Sequence, residues 1–145
     1  MKVGVSACLL GHNVRYNGSN KRNDELIKLL EGTEIIPVCP ECEAGLPIPH
    51  LPIEILNGKV MDPEGKEYTD ELIAAGNRIY DRVKDCDFLV LKSKSPTCGL
   101  GKIYNGTFNG VLIEGNGTFT GLCISKGMMV FNELDLLEIE KALEK

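Results

Sequence analysis

The sequence has no long apolar run; nothing in it approaches the roughly 18 to 20 consecutive apolar residues of a membrane-spanning helix. It has no excess of positive charge. Against 16 Lys and Arg stand 21 Asp and Glu, for a formal net charge of −5, so no basic face for nucleic acid is indicated. Histidine is scarce: only His12 and His50. Neither has a partner legible in the sequence, which leaves a Ser–His or Cys–His triad unsupported. No paired CxxC…CxxC array of the zinc-ribbon kind occurs. Internal repeats, linkers and low-complexity tracts are absent too. Val5-Ser6-Ala7-Cys8 has the form of a lipoprotein cleavage box, but a signal peptide needs an apolar region of roughly 7 to 15 residues before its cut. Only Val3 to Ala7 precede Cys8, so the expectation is a cytoplasmic protein.

What is present is an apolar share of 43% with 26% charged residues over 145 positions. That suits one soluble domain, residues 1–145, with a sizeable core. The six cysteines sit beside apolar runs rather than scattered through loops. In a reducing compartment such clusters bind metal or do chemistry more often than they form disulfides. The sequons at Asn17, Asn105 and Asn116 are each Asn-Gly, and read as turns.

The pattern along the chain alternates strands and helices. Lys2 to Ala7 is a first strand. Asn23 caps a helix to about Glu31, and Glu34 to Val38 is a second strand. Residues 39–67 carry five prolines and little regular pattern. Their apolar residues argue for an ordered flap over a site, with a hairpin turning at Asn57-Gly58. Thr69 is expected to cap the clearest helix, through Asp85, with Leu72, Gly76, Ile79 and Val83 on one face. Asp87 to Leu91 is the third strand. Ile103 to Glu114 reads as irregular or hairpin structure, and residues 118–124 as a further strand. Met128 to Phe131 is a short strand, with Asn132 capping a last helix. The sum is an α/β fold: a Rossmann-like layered domain with a mostly parallel sheet and a long Pro-rich active-site flap.

Three cysteines lie in loops that follow apolar runs: Cys8, Cys39 and Cys98. If their strands are parallel neighbours, the three thiols meet on one rim, where open α/β sheets bind ligands. Three soft ligands suit zinc or an iron–sulfur cluster and leave a metal position open. Buried apolar thiols are the competing reading, and the preferred one for Cys86 and Cys123. Cys39-Pro40-Glu41-Cys42 is formally CxxC, but its prolines and Gly45-Leu46-Pro47 do not support the helix a redox motif uses. Glu41, in a sheltered loop, can serve as acid or base, or be a plain surface charge. Ser95 can orient a bound group or close an ST-turn. Arg15 and Tyr16 can hold an anionic or planar ligand, or serve ordinary surface roles.

At these same residues the chain resembles a known family. Cys8-Leu9-Leu10-Gly11, Arg15-Tyr16-Asn17-Gly18, Val38-Cys39-Pro40-Glu41 with Gly45-Leu46-Pro47-Ile48-Pro49, Ser95-Pro96-Thr97-Cys98-Gly99 and Tyr104-Asn105-Gly106-Thr107-Phe108 are similar to the thiouracil desulfidase family, in unchanged order. The resemblance implies a [4Fe-4S] cluster on Cys8, Cys39 and Cys98, with one iron free of protein ligands. It implies non-redox removal of sulfur from a thiolated uracil or similar thiocarbonyl compound, the sulfur held as a [4Fe-5S] species. Glu41 and Ser95 would be the acid/base pair. The partners implied are a thiolated nucleobase or hydrosulfide. An alternative is a sulfide carrier that hands sulfur to an accepting protein. Asn17 stands where the family commonly has Asp, His50 where it has Arg and Thr97 where it has Ser. Cys42 is an added thiol that could offer another ligand.

Overall fold

The computed structural model describes residues 1–144. In chain order the elements are β1 (Lys2–Ser6), α1 (Asp24–Leu29), β2 (Glu34–Val38), α2 (Pro40–Glu43), the hairpin of β3 (Glu54–Leu56) and β4 (Lys59–Met61), α3 (Thr69–Val83), β5 (Phe88–Leu91), the hairpin of β6 (Lys102–Tyr104) and β7 (Leu112–Glu114), α4 (Thr118–Ser125), β8 (Val130–Asn132) and α5 (Leu136–Leu143). Four strands pair in the order β2-β1-β5-β8, and every pair in that sheet is parallel.

Strand alternation sends successive side chains to opposite faces, and both faces are covered. Val3, Val5, Phe88 and Val90 pack with Leu26 of α1 and Ile139 of α5. Leu89 and Leu91 pack on the other side with Ile79 and Val83 of α3 and with Phe119 and Cys123 of α4. Each such buried Leu, Ile, Val or Phe contributes about 1.5–3 kcal/mol. A smaller cluster of Leu46, Ile53, Val60 and Leu72 anchors the segment after α2. No helix among the described residues is long and apolar enough to cross a membrane.

Taken along the chain, the strands of the main sheet run 2-1-3-4 across it. The winding reverses between β1 and β5. In doubly wound sheets that reversal opens a crevice beyond the carboxyl ends of the strands. Cys8 follows β1 and Cys98 follows β5, so two of the three strand-end thiols flank it.

Several local expectations need correction. Residues 118–124 form helix α4, not a strand. Their Thr, Phe and Ile have strand-like propensity, but tertiary packing overrides it: Phe119, Thr120 and Cys123 are buried. Cys39-Pro40-Glu41-Cys42 does open a helix, one turn long, with Cys39 as N-cap and Pro40 in the first turn, where its fixed φ and missing N–H cost nothing. Thr69 lies inside α3 rather than capping it, and its Oγ1 accepts from Val60 N–H at 2.9 Å. Asn132 is not the cap of α5; Asp135 holds that position. Asn23 does cap α1, accepting from Leu26 N–H at 3.0 Å.

Candidate active site

The carboxyl ends of β1, β2 and β5 open into a cavity of about 570 Å³. Cys8, Cys39 and Cys98 all line it, together with Glu41, Ser95, Arg15 and Tyr16. All seven candidate residues therefore meet at one place.

Each thiol is held by its own local device. Cys8 sits in a 3-10 turn, Ala7–Leu10, closed by Gly11 at φ 97°. Its carbonyl accepts from Gly11 N–H and Lys21 N–H, at 3.3 and 2.9 Å. Cys39 is fixed as the N-cap of α2, which puts Glu41 in the first turn. Cys98 lies in a tightly tied loop. Ser95 Oγ accepts from the N–H groups of Thr97 and Cys98, each at 3.1 Å. Thr120 donates its hydroxyl to the Cys98 carbonyl at 2.7 Å. A Cβ on Gly117 would stand 2.4 Å from the Thr97 carbonyl carbon, and one on Gly99 would stand 2.6 Å from the Ser95 carbonyl oxygen. Both glycines are required by close backbone approach.

Burial disfavours the thiolate at all three positions. It pushes Cys98 up to about 12, against the pull of the Ser6 and Thr97 hydroxyls, and Cys8 and Glu41 nearby raise it further. Burial also raises Cys39, against the pull of the Cys42 N–H, and the Cys42 and Cys98 thiols nearby raise it further. It raises Cys8 against the opposing charges of Lys92 and Arg15. A raised thiol is the opposite of the activated first thiol of a redox CxxC motif. Cys42 does not line the cavity; its sulfur faces the Val14 carbonyl at 3.9 Å. Cys86 and Cys123 are buried in the core beside α3 and α4.

The cavity wall holds residues that the sequence did not single out. Lys92 and Ser93 line it, and both bind the buried Glu133. Ser93 gives its N–H and its hydroxyl to Glu133 at 2.8 and 2.9 Å, and Lys92 Nζ stands 3.0 Å away. Ser6, at the end of β1, accepts from Lys92 N–H at 2.9 Å. Glu54 also lines the cavity. Its Oε1 accepts from Gly106 and Phe108 N–H at 3.0 and 3.2 Å, which docks the β6–β7 turn beside Tyr104 and Phe108. His50 does have a partner: its Nε2 lies 3.6 Å from Glu41 Oε2. Nothing in the spacing of these residues signals any of these contacts, since each spans separate elements.

Among the described residues, no three His, Cys, Asp or Glu groups are gathered closely enough for a single metal ion. Cys8, Cys39 and Cys98 line the one cavity. Its wall mixes thiols and aromatic faces with four cationic side chains, Arg15, Lys21, Lys92 and Lys94, and two carboxylates, Glu41 and Glu54.

A parallel α/β sheet with thiols, a carboxylate and a hydroxyl at its switch point defines a class of small-molecule enzyme. The chain belongs to the 2-thiouracil desulfurase family, whose model matches residues 3–135. A solved structure of a [4Fe-4S]-dependent thiouracil desulfidase, TudS, superposes with a TM-score of 0.91 at 38% identity, covering 99% of this chain and 97% of that one. A relative from Bacillus subtilis (strain 168), described as "Uncharacterized protein YbbK", is 34% identical, covering 93% of this chain and 97% of its own length. The fold is thus α/β with a four-stranded parallel sheet, as the sequence pattern and the family resemblance implied.

Proposed function

We propose that this chain, acting as one unit over residues 1–145, is a [4Fe-4S]-dependent desulfidase. Its substrate would be a thiolated uracil or a similar small thiocarbonyl compound. The observation that carries this reading is the meeting of Cys8, Cys39 and Cys98 with Glu41 and Ser95 around one cavity.

The donor set fits the group. Thiolates are the ligands iron–sulfur clusters take. Cys8, Cys39 and Cys98, lining one cavity, would supply three of them. Cys42 does not line that cavity, so these three would hold the group and one iron would be left for the substrate sulfur. Cluster binding strips the thiol protons, and the Lys and Arg side chains of the wall offset the negative charge that results. When bound, the cluster would supply a Lewis acid for the thiocarbonyl sulfur.

The rest falls to the chain's own residues. Arg15 and Tyr16 hold the flat ring and its polar edge. Glu41 accepts a proton from the water whose oxygen adds to the thiocarbonyl carbon. Ser95 Oγ already accepts two N–H groups, so its own hydrogen is free to be donated to the reacting centre or to Thr97 Oγ1. The C–S bond breaks as the C=O bond forms. Uracil, hydrosulfide and a proton leave, and no electrons are exchanged. The Pro-rich segment after α2 contributes Pro52, Ile53 and Glu54 to the cavity wall, and serves as a flap that keeps bulk water out.

Anaerobic reconstitution followed by incubation with 2-thiouracil tests the reading. Uracil and hydrosulfide released in equal amounts support it. Cluster loading without uracil release overturns it in favour of a sulfide carrier.

A further inference from the structure

His50 stands behind the cavity wall rather than in it, yet it touches two residues that line it. Its backbone N–H donates to the Tyr16 carbonyl at 2.7 Å. Its ring lies 6.2 Å from the Tyr16 ring, tilted by 54°. Its Nδ1 is 2.6 Å from the Leu51 carbonyl oxygen, and its Nε2 is 3.6 Å from Glu41 Oε2. The side chain is 6% exposed and that of Glu41 16%. A carbonyl oxygen can only accept, so Nδ1 must carry a hydrogen. With Nδ1 committed, Nε2 meets the carboxylate favourably only when a proton lies between them. The imidazole therefore faces the carboxyl through Nε2, which sets the mutual orientation of the two side chains.

We propose that His50 is the positioning residue of Glu41: it holds Oε2, leaves Oε1 for the attacking water, and ties that orientation to the loop carrying Arg15 and Tyr16. This rests on the desulfidase reading and adds to it a residue that touches neither substrate nor cluster. The pairing also holds His50 above its ordinary pKa, through Glu41 first, against the effect of burial. The groups facing the ring are Glu41 from α2, the Tyr16 ring from the loop after β1, and the Leu51 carbonyl of its own segment.

Three variants and one spectroscopic measurement test it. In His50→Ala, iron and sulfide content stay at the wild-type level, KM for 2-thiouracil stays within about threefold, and kcat falls about 10- to 100-fold, as for other supports of a catalytic group. His50→Arg restores a cation to Oε2 and recovers part of kcat; the uncharged His50→Gln recovers less. A kcat within about threefold of wild type in His50→Ala, or a loss of iron that accounts for the loss of turnover, overturns the proposal. Nitrogen-15 NMR of the His50 ring in the full chain is independent of turnover. The ring should titrate above the ordinary histidine range in wild type and fall back in Glu41→Gln. An unchanged midpoint shows that the pair does not exist. A wild-type protein that releases no uracil but keeps this NMR signature sinks the desulfidase reading and leaves the pair standing.

Discussion

Thr97 donates its hydroxyl hydrogen to the sulfur of its neighbour, Cys98, across 3.7 Å. The same hydroxyl lies 3.0 Å from Ser95 Oγ, so the proposed ligand and the proposed catalytic serine are one hydroxyl apart. A hydrogen bond to a ligand sulfur favours the more negative, reduced cluster. Thr97→Val should therefore keep its iron while the midpoint potential moves to a more negative value, and Thr97→Ser should restore it. Redox titration of the three proteins reads the effect. An unmoved potential in Thr97→Val would mean that the contact does not act on the ligand.

Glu41 is the only carboxylate of the cavity on the same turn of helix as a proposed ligand. Glu41→Gln keeps the shape, removes the base, and should lower kcat about 10²- to 10⁴-fold with the cluster intact. Single-turnover uracil release alongside iron analysis checks both halves. Full activity in this variant would remove Glu41 from the mechanism.

Glu133 gives a prediction about stability. Burial pushes its carboxyl up, but the Ser93 N–H and Lys92 outweigh that and hold it below the usual carboxylate range. A depressed carboxyl contributes stability that is complete above its unfolded value, near pH 4.3, and is lost as pH falls through the folded value. Glu133→Ala strands Lys92 and Ser93 and should cost about 3 kcal/mol at neutral pH. Denaturant melts at pH 7 and at pH 3 should show that the difference from wild type shrinks on acidification. A difference independent of pH would contradict the pairing.

Gly117 presses on the peptide between Thr97 and Cys98. Gly117→Ala should force the loop apart, cost about 1–3 kcal/mol, and reduce cluster loading. Gly32→Ala meets no neighbour, but its φ of 87° disfavours a side chain. It should cost stability without touching iron content. Equal iron loss in both variants would show that the Gly117 effect is not local to Cys98.

The strand-end thiols were legible because short apolar runs mark buried strands and each cysteine follows one. Convergence then depended on sheet order, which periodicity does not encode; only parallel β1, β2 and β5 side by side bring the three loops together. Helix α4 was not legible because Thr118 to Ile124 has the composition of a strand, while its helical state comes from packing on α3. His50 and Glu41 meet only because a proline-rich segment folds back on the Tyr16 loop, a path no pattern announces. Glu133 reaches the site from the far end of the chain through β8, and nothing near it in sequence points to Lys92.

The most direct test is anaerobic analysis of iron and acid-labile sulfide in the wild-type chain and in four single Cys→Ser variants. Wild type and Cys42→Ser should each carry about four irons and about four sulfides, the stoichiometry of the cluster. Cys8→Ser, Cys39→Ser and Cys98→Ser should lose them. A colourless wild-type protein, or full loading after loss of Cys98, would contradict the three-thiol site.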